Sequence, residues 1–122
     1  MSAANSQMPP TPTRHSGLCL PADKTIAVSV ISGPLKGLTH RLTKPQISIG
    51  HAGSGADIEI DDPSVSNFHC AVGVSGDIVR LCDLDSKTGT FVDEKNIQAA
   101  ELRHLSEFRV GPSVFLVIIR SA

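Results

Sequence analysis

Ser66 and His69 are the two residues of this chain whose types and spacing come nearest to a catalytic arrangement. A serine hydroxyl beside a histidine base is the minimum for nucleophilic catalysis. The segment around Ser66 lacks the glycines of a nucleophile elbow, and no third residue that would orient His69 is evident. We therefore predict that the protein is not an enzyme, and that His69 is a structural residue that bonds neighbouring loops.

A glycine-rich segment, residues 49–55, is the second candidate for chemistry. Glycines permit positive φ and close backbone approach, so such a loop can turn its N–H groups toward an anion. It lacks the GxxxxGK[ST] pattern of a nucleotide-binding loop, and a strand follows it where that motif has a helix. The pattern leaves two interpretations open, an anion-binding loop and an ordinary flexible turn.

Two further sets of residues have types that can bind metals. Asp83, Asp85 and Glu94 are spaced somewhat like a calcium loop, but a lysine and a threonine stand where a ligand and the turning glycine should be. The cysteines are Cys19, Cys70 and Cys82, and none has a cysteine or histidine partner at zinc spacing. We predict free thiols in a reducing compartment, with no metal site and no cofactor.

Short segments in which apolar and polar residues alternate must position these loops. They are rich in β-branched residues and are bounded by Gly, Pro, Asp or Ser. The predicted strands are 25–31, 38–42, 46–49, 57–60, 68–74, 78–81, 90–92, a piece near 97, 107–110 and 114–120. Turn signals every 8 to 12 residues or so predict an all-β, antiparallel sandwich without substantial helices. In a sandwich the end loops carry the function.

Two details of the strands can be predicted further. Ser75-Gly76 looks like a two-residue hairpin loop, a register that pairs Cys70 with Leu81 and places Cys82 on the opposite side of the sheet. The run 114–119 is apolar throughout, which predicts a strand that is buried on both faces or that closes the sandwich.

The composition of the chain limits the number of domains and the kinds of partner that it can bind. Residues 1–22 contain half of the 8 prolines and show no apolar periodicity, which predicts a disordered Pro/Ser/Thr-containing tail before one domain at 23–122. A net charge of −1 argues against nucleic-acid or anionic-membrane partners. No secretory signal or membrane-spanning run is evident, so a cytoplasmic location is expected.

The order and spacing of these segments resemble the forkhead-associated (FHA) domain family. The resemblance covers about residues 24–120 and implies an eleven-stranded sandwich whose apical loops bind phosphothreonine peptides without catalysis. It is carried by Ile49-Gly50, Ala56-Asp57-Ile58, Ile60-Asp61-Asp62-Pro63, Val65-Ser66 with His69, Asp83-Leu84 with Ser86, Gly89-Thr90-Phe91-Val92, Leu102, and Phe108-Arg109-Val110-Gly111.

The resemblance also implies roles for individual residues. Ser66 would donate its hydroxyl to the phosphate, Asn67 follows at a position that contacts phosphate in some members, and Lys87 would add a charge. Gly50, His69 and Gly89 would support the binding loops. The implied partner is a phosphothreonine-containing protein, a Ser/Thr kinase or its substrate. Phosphorylation of Thr11 or Thr13 would make the tail a ligand for its own or a neighbouring molecule, a route to self-association.

Two positions of the predicted peptide-binding site depart from the family pattern. His51 stands where the family usually has Arg, and Thr88 where it usually has Asn. Losing two contacts would cost about 2–5 kcal/mol, enough to turn micromolar binding into millimolar. The sequence therefore predicts either a weakened phosphothreonine adaptor or an FHA fold that acts in phosphate-independent protein–protein interaction or assembly.

Overall fold

The computed structural model describes residues 18–122, and within that range eleven strands form the fold. The strands are β1 (Lys24–Ser32), β2 (Thr39–Arg41), β3 (Gln46–His51), β4 (Ile58–Ile60), β5 (Cys70–Ser75), β6 (Ile78–Asp83), β7 (Thr90–Val92), β8 (Lys95–Ile97), β9 (Ala99–Leu102), β10 (Glu107–Val110) and β11 (Ser113–Ser121). The described range contains no helix, and therefore none long and apolar enough to cross a membrane.

The strands form two sheets, which confirms the predicted sandwich. One sheet has the order β2-β1-β11-β10-β7-β8 and the other the order β4-β3-β5-β6-β9. All neighbours are antiparallel except β3 and β4, which run parallel. Because parallel neighbours cannot be joined by a tight hairpin turn, the chain between them forms a longer loop. That loop is the glycine-rich segment.

The core lies between the sheets and follows from the alternation of apolar residues along the strands. Ile26, Val28 and Val30 of β1 are buried, as are Phe115 and Val117 of β11. The rings of Phe108 and Phe115 stack with centroids 4.9 Å apart. The outward residues of β11 are half-buried, so the first of the two alternatives predicted for 114–119, burial on both faces, was wrong. An apolar outer face on a central strand imitates a doubly buried strand in sequence.

The predicted register of the β5–β6 hairpin was also wrong. The loop is Gly76-Asp77, with Ser75 opposite Ile78 and Cys70 opposite Asp83. Gly76 has a φ of 61°, and it occupies the first loop position, where a type II′ turn takes glycine. The error is an even number of residues, so each side chain keeps its face. Cys70 is buried in the core, and Cys82 is half-buried on the outside.

β9 and the start of the domain differ from their prediction. β9 was not predicted as a separate strand, because alanine and glutamate are poor strand formers. Residues 18–22 were assigned to the tail, yet Cys19 donates its N–H to Val74 O at 2.8 Å and accepts from Gly76 N–H at 3.1 Å. The rest of the predicted tail, including Thr11 and Thr13, lies outside the described residues.

Candidate functional site

Three loops meet at one end of the sandwich: residues 52–57 after β3, 61–69 after β4, and 84–89 after β6. The N–H of His51, the last residue of β3 before the first loop, donates to Ser66 O at 2.9 Å and so joins the start of the first loop to the second. The Lys87 N–H donates to Ser66 Oγ at 3.0 Å, which joins the third loop to the second. The three loops therefore form one surface, centred on Ser66, although the third lies about 15 residues or more beyond the first two in sequence.

An open depression on this surface brings together four of the five predicted peptide-binding residues. It is lined by His51, Pro63, Val65, Ser66, Asn67 and Lys87. The fifth, Thr88, is exposed but does not line the depression, and its hydroxyl donates to Ser64 O at 2.7 Å. Thr88 thus ties two loops together, and its hydroxyl proton points into the protein.

The depression is lined by hydrogen-bond donors. Ser66 Oγ accepts the Lys87 N–H, which leaves the hydroxyl proton of Ser66 without an acceptor among residues 18–122. Asn67 and Lys87 are exposed beside it, with an amide that has two N–H groups and an ammonium group that has three. A hydroxyl, an amide and an ammonium together suit a ligand that offers several acceptors and negative charge.

The His51 ring takes part in this arrangement with one nitrogen already used. Its Nδ1 lies 2.8 Å from Ala52 O, and because a carbonyl only accepts, Nδ1 carries the proton. In the neutral ring Nε2 is then an acceptor. His51 therefore offers Nε2 as a donor to an anion only when the ring is protonated, whereas an arginine donates at every pH.

His69 is fully buried and connects two of the loops. Its Nδ1 accepts the Ser66 N–H at 3.1 Å, and its Nε2 donates to Gly89 O at 2.8 Å. These partners fix one neutral tautomer and use both ring nitrogens. No lone pair of His69 remains for the Ser66 hydroxyl, so the pair is not arranged as a nucleophile and its base.

Two glycines allow the loops to approach each other. A Cβ on Gly50 would lie 1.8 Å from Asn67 O, so any side chain there would push the Ser66-Asn67 segment away. Gly89 has a φ of 89°, a left-handed conformation that favours glycine, and its N–H donates to Ser86 Oγ at 3.0 Å.

Asp83 holds the third loop, a role that the sequence analysis missed. Its Oδ1 accepts from Ser86 Oγ at 2.5 Å and from Thr90 Oγ1 at 2.7 Å. Burial alone would raise the pKa of this carboxyl, but the hydrogen bonds from Ser86 and Thr90 hold it below its usual value. A signal was present, because aspartate side chains commonly hydrogen-bond nearby backbone and hydroxyl groups in turns.

Asp62 holds the second loop and was missed as well. Its Oδ1 accepts from Ser64 N–H at 2.8 Å and from Ser64 Oγ at 2.5 Å. These bonds lower the pKa of Asp62. The Asp-Pro-Ser sequence is a recognisable Asx turn, in which the side chain bonds the backbone two residues on.

The N–H groups of the glycine-rich loop bind a carboxylate of the protein itself, that of Glu59. Glu59 of β4 accepts the Gly53 N–H at 3.1 Å and the Gly55 N–H at 2.9 Å. These two backbone hydrogen bonds lower the pKa of Glu59. The loop turns its N–H groups toward an anion, as its glycines allow, but that anion is a side chain of the protein; a single glutamate on a short strand gave no sign of this contact.

Comparison with known proteins gives one family and several relatives. The Yop-YscD family, described as "Inner membrane component of T3SS, cytoplasmic domain", matches residues 29–120. The glycogen accumulation regulator GarA of Mycolicibacterium smegmatis is 32% identical over 92 residues, which are 75% of this chain. The matched region spans only 57% of the length of GarA.

Solved structures share the fold. The FHA domain of the CT664 protein from Chlamydia trachomatis superposes with a TM-score of 0.71 at 24% identity, covering 77% of this chain and 96% of that one. A domain from work on phosphothreonine-dependent FHA interactions gives a TM-score of 0.69 at 28% identity, covering 77% of this chain and 95% of that one.

Proposed function

The chain belongs to the Yop-YscD cytoplasmic-domain family and is an FHA domain, and from this membership we propose that it is a phosphothreonine-dependent interaction module. The observation that carries the proposal is the depression where Ser66, Asn67 and Lys87 present donors from two loops. A structural relative is described by its phosphothreonine-dependent interactions, and this supports the same ligand class here.

The chemistry of a phosphate fits these donors. A phosphothreonine carries nearly two negative charges and three strong acceptor oxygens. Each hydrogen bond to a charged group contributes about 1.5–3 kcal/mol. Micromolar affinity corresponds to about −8 kcal/mol, so three or four such contacts and the flanking peptide must act together.

We further propose that the affinity is lower than in FHA domains with arginine at the position of His51. With its Nδ1 proton held by Ala52 O, the His51 ring can donate to the ligand only through a protonated Nε2, and Thr88 uses its hydroxyl proton within the protein. The proposed partner is a Ser/Thr kinase or one of its substrates. The description of the matched family as a cytoplasmic domain supports a cytoplasmic location.

Calorimetric titration with matched phosphothreonine and unphosphorylated peptide libraries tests the ligand class. We expect binding of phosphorylated peptides only, and a loss of at least about tenfold in Ser66→Ala, the change that corresponds to one lost hydrogen bond. Ser75→Ala, on the opposite end of β5, is the matched control and should bind like the wild type. Equal affinity for both peptide forms would contradict the proposal.

His51→Arg tests the proposed weakening. A guanidinium group, which is charged at every pH, should tighten phosphopeptide binding by about tenfold, because it adds a charge-assisted hydrogen bond. Unchanged or weaker binding would mean that position 51 does not face the ligand.

A second function, phosphate-independent assembly, is favoured by the inward hydroxyl of Thr88 and by the matched family, which is described as part of a larger apparatus. Its signature is partner binding or oligomer formation that survives both phosphatase treatment and Ser66→Ala. Abolition by either treatment would reject this function.

A further inference from the structure

We propose that Glu59 is a positioning residue of the phosphopeptide site. Its carboxylate is a built-in anion that holds the glycine-rich loop and thereby fixes His51 beside Ser66. The same carboxylate keeps the amides of that loop from a ligand's phosphate. The effect on ligand affinity rests on the proposed function, whereas the effect on the loop does not.

The contacts of Glu59 are specific. Glu59 lies on β4 directly opposite Gly50 of the parallel strand β3. Each carboxylate oxygen accepts one N–H, Oε1 from Gly53 at 3.1 Å and Oε2 from Gly55 at 2.9 Å. Gly53 and Gly55 have φ values of 87° and 90°, conformations that bring N–H groups of a loop to one side. The loop therefore folds around the carboxylate.

The loop follows directly on His51, the last residue of β3, which lines the depression. The loop starts at Ala52, whose N–H donates to Ile60 O at 3.1 Å, one residue beyond Glu59. The His51 ring is in turn held by Ala52 O at 2.8 Å. Loss of the carboxylate at 59 would free the segment that sets the position of the His51 ring relative to Ser66.

The arrangement also sorts the donors of the site into two groups. The Gly53 and Gly55 amides are occupied by Glu59, whereas the donors of Ser66, Asn67 and Lys87 face the open depression. An incoming phosphate is therefore directed to the second group.

Amide hydrogen exchange of the full-length protein without ligand tests the loop. In Glu59→Ala we expect exchange at Gly53 and Gly55 to accelerate by about tenfold, as expected for one net hydrogen bond, and added acetate to restore part of the protection. Glu101→Ala is the matched control, since Glu101 is exposed on β9 and its carboxylate accepts no hydrogen bond within the described range. Unchanged exchange in Glu59→Ala, or protection that acetate does not restore, would overturn the proposal.

Titration with inorganic phosphate, followed by amide chemical shifts, tests the sorting of donors. In the wild type we expect shifts at Ser66 and Lys87 but not at Gly53 and Gly55; in Glu59→Ala the two glycines should shift as well. Wild-type shifts at the glycines would overturn the role of Glu59. Absence of wild-type shifts at Ser66 and Lys87 would instead count against the proposed function and leave the exchange result valid.

Discussion

His69→Ala is the substitution that most directly tests how the binding loops are held together. The wild-type ring is fully buried and bonds Gly89 O at 2.8 Å and Ser66 N–H at 3.1 Å. The buried Gly89 carbonyl would lose its partner at a cost of about 1–3 kcal/mol, and the half-buried Ser66 amide would add about 0.5–1.5 kcal/mol. We expect the free energy of unfolding to fall by about 2–4 kcal/mol, a large share of the 5–15 kcal/mol or so of a typical domain.

Urea unfolding followed by far-ultraviolet circular dichroism measures this change. The midpoint should fall while the slope of the free energy against urea stays constant, because the same surface is exposed on unfolding. The melting temperature should fall by at least about 8 °C, since about 4–8 °C is lost per kcal/mol in a domain of this size. If His69→Ala is too unstable to purify, His69→Gln, which keeps one donor and one acceptor, should show a smaller loss.

His104→Ala provides the control. His104 is exposed, and its Nδ1 accepts a single N–H, from Ile119 at 3.0 Å. Water can replace this contact, so the expected loss is below about 1 kcal/mol. A loss in His69→Ala that is no larger than that in His104→Ala would refute the view that the buried imidazole is what joins the two loops.

Three further outcomes follow from the structure. Gly50→Ala should destabilise the domain by more than about 2 kcal/mol in the same urea assay, because the new Cβ would meet Asn67 O at 1.8 Å, whereas Gly73→Ala, with its nearest neighbour at 3.4 Å, should be nearly neutral. The pKa of Asp83 is lowered in the folded protein, so this carboxylate stabilises the fold above its usual pKa of 3.8, and the contribution is lost as pH falls below that value. The difference in the free energy of unfolding between wild type and Asp83→Asn should therefore shrink between pH 6 and about pH 3. A difference that does not depend on pH would contradict this. Burial raises the pKa of the Cys70 thiol, so a thiol reagent at neutral pH should modify Cys70 only when the protein unfolds. Equal rates of labelling in the native and the unfolded protein would contradict this.

The sheets could largely be predicted from the sequence, because the physical rule behind them is local. β1 alternates apolar residues toward one core, and that period can be read without knowing the partner strand. β11 is apolar on both faces, so its sequence indicates a strand but does not show which face meets the core. β9 could not be found in this way, because its alanines and glutamate have no strand preference of their own. It forms because β6 offers it an unpaired edge.

The residues of the site were assigned by family resemblance, and their role in binding stays a prediction. Ser66, Asn67 and Lys87 were named from the family resemblance, and the structure brings them to one depression. Glu59 and Thr88 show what could not be predicted. Their partners are backbone groups of Gly53, Gly55 and Ser64, and the position of a backbone group depends on the path of the whole loop.

The attachment of Cys19 beside the end of β5 limits how far the residues before Cys19 can extend toward the depression. Cys19 bonds Val74 and Gly76, whereas Ser66 precedes the opposite end of the same strand, so at least about 17 Å of strand separates the two points. Thr13 is six residues before Cys19 and can extend at most about 20–22 Å from it, whereas Thr11, two residues earlier, can extend about 26–29 Å. The extended length from Cys19 to Thr11 exceeds this minimum by the larger margin, so a phosphate on Thr11 is the better placed of the two to meet the depression of its own molecule. One on Thr13 would need an almost straight tether, and a neighbouring molecule is its less constrained acceptor.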